Sequence, residues 1–189
     1  MSDPRYPFSD GDYLSVRPNY AYSDCSGNDF PALWLALRRA TCARLATAAG
    51  PQPTPPARAA TTGDAIGIDE LLDRLAQPGT DAELDLMVQR FEAGKRLYDV
   101  YRGSDRRGDT ATGFREMGRY VRFGELLAAA YRRRGVLPLL NALLKLCDLL
   151  GAHADDIPGA WRGRAAGVFE LERSCVAELA HARGVPWPE

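Results

Sequence analysis

The chain is nearly without lysine and histidine. Only Lys95 and Lys145 among its 24 basic side chains are lysines, and His153 and His181 are its only histidines. His153 has Asp155 and Asp156 nearby, but no ligand spacing joins them, so no metal site is expected. The four cysteines (Cys25, Cys42, Cys147, Cys175) stand far apart with no Cys-x-x-Cys pair. That excludes a zinc ribbon and speaks against a disulfide framework, leaving isolated thiols in a reducing compartment. No apolar run reaches the roughly 18 to 20 residues of a membrane-spanning helix. The longest candidate, residues 136–150, is interrupted by Asn141, Lys145 and Asp148. The N-terminus lacks the charged-then-apolar pattern of a secretory leader, so a cytoplasmic location is expected. Phosphate-cradling glycine loops, a nucleophile elbow, a dinucleotide fingerprint and a Glu-x-x-His pair are all missing. The expectation leans away from an enzyme, and no cofactor is implied.

What is present is an ordinary globular balance. With 189 residues, 46% hydrophobic and 26% charged, the chain can build one core but is short for two domains. A net charge of −1 excludes histone-like basicity and a wholly acidic disordered chain. The excess of Arg over Lys, together with abundant Ala, fits the coding bias of a GC-rich bacterium.

The chain divides into stretches of different kinds. Residues 1–30 carry five Asp and four Tyr without apolar periodicity, an irregular arm that lies across the body or waits for a partner to order it. Residues 31–47 read as a first helix, with Leu33, Trp34, Leu37, Thr41 and Leu45 on one stripe. Residues 48–64 form a linker, since four prolines in 51–56 favour an extended chain. Residues 65–185 read as a helical bundle. Ile68, Leu71, Leu72 and Leu75 make a short helix stopped at Gln77-Pro78-Gly79. Thr80 and Glu83 form a capping box for a helix whose face runs from Leu84 through Met87, Val88, Phe91 and Tyr98 to Tyr101, with Gly103 as its stop. A long helix over 111–134 ends at Gly135, and Pro138 starts another that ends at Gly151. Asp156, as cap, and Pro158 open a last helix that Gly184 closes. The short joints favour antiparallel neighbours. The fold class is therefore all-α, a single antiparallel bundle of five or six helices with an irregular N-terminal arm.

Three groups of residues are candidates for function. Asn141, Lys145 and Asp148, at spacings of four and three, share one face of a Leu-rich helix. The plain reading is the wet edge of an amphipathic helix with a modest ion pair. The sharper one is a pocket between the 111–134 and 136–150 helices, where Lys145 and Asp148 bind an anion or move a proton. Glu125 would face Lys145, and Tyr120 and Asn141 would complete the polar set. The second group is Arg115, Arg119 and Arg122, which line one side of the 111–134 helix; residues 102–134 hold nine Arg against four acids. Such a strip suits phosphate, nucleic acid or an acidic protein surface, and it complements the acidic arm. The third is Tyr20 and Tyr22, in the densest part of the arm, a composition suited to recognition surfaces. Cys147 lies in an apolar stretch, where a thiol pKa rises, which speaks against a nucleophile.

Together these features favour a small helical accessory or adaptor protein that binds a partner protein through its aromatic acidic arm and basic helical face. The alternatives are a small enzyme or ligand-binding protein built on the pocket, and nucleic-acid binding through residues 102–134, which near neutrality disfavours.

Overall fold

The computed structural model describes residues 30–47, 49–51, 68–93 and 110–184. These form six α-helices and no strand: α1 (Phe30–Thr47), α2 (Ile68–Leu75), α3 (Asp81–Glu92), α4 (Thr110–Arg134), α5 (Leu137–Ala152) and α6 (Gly159–Ala182). A short 3-10 turn, Ala154–Asp156, lies between the last two. The all-α bundle is therefore the fold. The expected arm, most of the linker, Lys95 and the segment with Tyr98 and Tyr101 lie outside the described residues.

The helix α5 occupies the centre because it is apolar nearly all round. Leu139, Leu140, Leu143, Leu144, Leu146, Cys147 and Leu150 are all buried, each leucine contributing about 1.5–3 kcal/mol of burial free energy. The long helices α4 and α6 flank it. Gly135 holds φ +66 and donates its N–H to the Tyr131 carbonyl at 2.7 Å. This left-handed residue reverses the chain between α4 and α5, where a Cβ would be strained.

Two glycines let α4 and α6 approach closely. A Cβ on Gly118 would lie 2.6 Å from the Trp161 ring, and one on Gly124 would lie 2.6 Å from Val168 Cγ1. These contacts rise in number together, so α4 and α6 run parallel. On the far side α1 runs antiparallel to α6: Arg38 meets Glu172, the Cys42 thiol donates to the Ala166 carbonyl, and the Gly50 N–H donates to the Gly159 carbonyl at 2.6 Å. The short helices α2 and α3 cover the opposite flank of the core with Leu71, Leu72, Leu75, Leu84, Met87, Val88 and Phe91.

Four local expectations are corrected. The stripe of α1 is rotated by one position: Trp34, Leu35, Arg38, Thr41 and Leu45 face inward, while Leu37 is 38% exposed. A charged side chain in the inward register hides the true phase of the helix. Thr80 does not form a capping box, because its hydroxyl donates back to the Leu75 and Gln77 carbonyls instead of accepting from α3. The N-cap of α6 is Pro158 itself, whereas Asp156 belongs to the 3-10 turn and receives His153 Nδ1. Finally, α5 has no wet edge at its N-terminal half, since Asn141 is only 7% exposed.

Candidate functional site

The polar stripe of α5 is split between different neighbours. Lys145 reaches α3, where its ammonium donates to the Phe91 and Glu92 carbonyls at 3.2 and 2.7 Å and sits 5.5 Å from the centroid of the Phe91 ring. A cation beside the carbonyls at the negative end of a helix is a stabilising contact. Burial lowers the Lys145 pKa and nearby Glu92 opposes the shift. Asp148 turns the other way and pairs with Arg38 of α1. Glu125 does not meet Lys145: it takes a two-point contact from Arg164 of α6, whose guanidinium also lies 4.9 Å from the Trp161 ring centre. The Tyr120 ring packs against Phe91 with centroids 6.4 Å apart. Asn141 is buried, and its Oδ1 has no hydrogen-bond partner among the described residues. Tyr120 and Lys145 share Phe91, but the five residues do not converge on one point.

The basic side of α4 is likewise engaged within the chain. Arg119 and Arg122 both hold Asp69 of α2, and Arg122 also takes Asp73. Arg132 meets Glu178, Arg133 meets Asp81, and Arg134 grips Asp85 through two hydrogen bonds of 2.7 and 2.9 Å. That contact holds the Asp85 carboxyl below its ordinary range. All five of α4's arginines whose side chains are described thus face acids of neighbouring helices. The side chain of Arg115, and Tyr20 and Tyr22, lie outside the described residues.

The densest electrostatic site is one the sequence did not announce. Arg38, 3% exposed, sits between Glu172, fully buried, and Asp148, 14% exposed. Its Nε donates to Glu172 Oε2 at 2.9 Å and its Nη2 to Oε1 at 3.2 Å, while Nη2 also serves Asp148. The guanidinium lies 5.5 Å from the Trp34 ring centre and 5.6 Å from that of Phe169, within range of cation–π attraction. Behind it lies the buried Cys147 thiol, whose pKa is raised by burial and by nearby Glu172.

One cation therefore serves two buried carboxylates, which leaves a net charge of −1 if both are ionised. An uncompensated charge in such surroundings is costly, so burial opposes ionisation of the second carboxylate. Burial, with Asp148 adding and Arg38 opposing, pushes Glu172 up to about 8. Asp148 is also raised by burial against the pull of Arg38, and Cys147 lies well above the usual thiol range. The signal that could have exposed Glu172 is its position. It lies in phase with Ala165, Val168, Phe169, Cys175 and Val176, all buried on the inward face of α6.

Among the described residues no group of three or more His, Cys, Asp or Glu side chains is placed to hold a metal ion, and no helix is long and apolar enough to cross a membrane. Comparison of the chain with protein-family models, curated proteins and solved structures gives no match.

Proposed function

We propose that the protein is a helical accessory protein that binds a partner protein through the outward face of α1 and the Tyr-rich arm preceding it. The observation that carries this reading is the composition of that face. Among the described side chains of α1, Ala36, Leu37, Ala40, Ala43 and Ala46 are exposed there, interrupted by Arg39, Arg44 and Thr47. A solvent-facing helix surface is ordinarily dominated by charged and polar side chains, so a largely apolar one, preceded in the sequence by four tyrosines, suits a protein contact. The inward face supports the same reading: a buried ionic key fixes one orientation of α1, which keeps its outer face in a defined place. The basic side of α4 takes a smaller share than its charge suggests, because a partner acid must compete with Asp69 and Asp73.

The test is affinity capture from the producing cell with three proteins: the full chain, a Leu37→Glu/Ala40→Glu variant, and a variant lacking residues 1–29. Each is first checked for helical content by circular dichroism. Loss of the same captured protein from both altered forms is the expected result. Equal capture by all three rules out this surface.

Two other readings keep narrower support. A small-ligand site rests on the unpartnered Oδ1 of Asn141, and nucleic-acid binding rests on the arginines of residues 102–134. A gel shift at low salt that weakens steeply with added salt would favour the latter.

A further inference from the structure

We infer that the Arg38–Asp148–Glu172 cluster is a proton-operated latch, which holds α1 closed against α5 and α6 while it carries one proton and loosens that helix when the proton leaves. The inference is independent of what the outer face of α1 binds.

The geometry gives the cluster this role. Arg38 belongs to α1, Asp148 to α5 and Glu172 to α6, so the three charges join three helices at one buried point. Among the described side chains, the rest of the α1 seam is formed by Trp34, Leu35, Thr41, Cys42 and Leu45 on the α1 side. The groups facing Glu172 are Arg38 and, more weakly, Cys42 from α1, then Cys147 and Asp148 from α5, with Cys175 on α6 itself. From α4, Tyr131 and Arg132 act on Cys175. Among the described residues, Arg38 is thus the one cation acting directly on the two carboxylates. With Glu172 protonated the cluster is neutral and closed. When Glu172 ionises, the buried excess of one negative charge is relieved by moving α1 aside and admitting water.

The direction with pH follows from linkage. Glu172 holds its proton up to about pH 8 in the closed form, and in the open, hydrated form it returns toward the ordinary carboxylate range. The closed form therefore binds more protons throughout that interval, and closure weakens as pH rises through it. One proton makes the opening constant grow by up to about tenfold per pH unit, levelling off above the closed-state value.

Hydrogen exchange of the intact protein between pH 5.5 and 8.5, corrected for intrinsic exchange, reads this directly. The amides of residues 36–46 should lose protection as pH rises while those of residues 121–130 in α4 keep theirs. Glu172→Gln should remove the pH dependence of α1. Asp148→Asn, which leaves one carboxylate for one guanidinium, should move it to lower pH. Flat protection of α1 in the unaltered chain overturns the latch, as does equal loss in α1 and α4, an unchanged slope in Glu172→Gln, or an unmoved window in Asp148→Asn. The unaltered chain and Asp148→Asn decide the matter even if Glu172→Gln does not fold.

Discussion

Arg38 grips Glu172 at two points, across 134 residues of chain, in a contact from which water is almost wholly excluded. Removing the guanidinium leaves the buried acidic side chains without their cation. Arg38→Ala should cost about 3–5 kcal/mol in urea unfolding at neutral pH, and Arg38→Lys should recover only part, because an ammonium cannot make the planar fork. Replacing all three charges together (Arg38→Met, Asp148→Leu, Glu172→Met) should restore most of the loss. A single Arg38→Ala variant as stable as the parent would show that the contact contributes little.

The thiols give a second prediction. Burial pushes Cys42 up to about 12 and Cys175 up to about 11, and raises Cys147 strongly. In a Cys25→Ser background, alkylation at pH 8 should be at least about tenfold slower in the native protein than in urea, since the thiolate is the nucleophile. Mass spectrometry of the quenched reaction measures it. Comparable rates in the two states would contradict the burial of these side chains.

Glycines within the long helices should respond with opposite signs. At Gly124 an added methyl meets Val168, a stiff β-branched side chain, at 2.6 Å, so Gly124→Ala should cost about 1–3 kcal/mol. At Gly167, within α6, the same methyl meets nothing within 4 Å, and Gly167→Ala should gain about 0.5–1 kcal/mol from helix propensity. Thermal melts of the two variants suffice, and a Gly124→Ala variant that melts at or above the parent would refute the close packing of α4 on α6.

Internal neutralisation of α4 predicts a gain of binding on removing acids. Asp69 and Asp73 are 47% and 60% exposed, so their ion pairs contribute little to stability. Asp69→Asn/Asp73→Asn should therefore melt close to the parent, yet elute from a heparin column at higher salt, because Arg119 and Arg122 are released. Unchanged elution would mean that these arginines are not restrained by α2.

Much of the fold was legible because its determinants are local. Gly135, Pro138 and Gly184 mark helix ends through backbone constraints that act within a turn. The apolar residues of α5 mark a central helix whatever surrounds them. The candidate site was legible only in its parts. Asn141, Lys145 and Asp148 do share a stripe, but a stripe does not say which neighbour each residue meets, and here Lys145 goes to α3 and Asp148 to α1. The basic run of α4 was visible, whereas its complement in Asp69, Asp73, Asp81 and Asp85 depends on how α2 and α3 fold onto it. Arg38 and Glu172 escaped notice because a charge in an inward register resembles a break in the pattern until its distant counter-charge is known.

The backbone contact between Gly50 and Gly159 has a mechanical side. It fastens the C-terminal end of α1, where a Cβ on Gly50 would meet the Gly159 backbone at 3.2 Å. A helix of 18 residues is about 27 Å long. Pinned at one end and keyed near its middle by Arg38, it behaves as a lever. A tilt of about 10° about that end carries Phe30 through roughly 5 Å and Arg38 through about half of that, so any movement at the ionic key is about doubled at the N-terminal end of the helix.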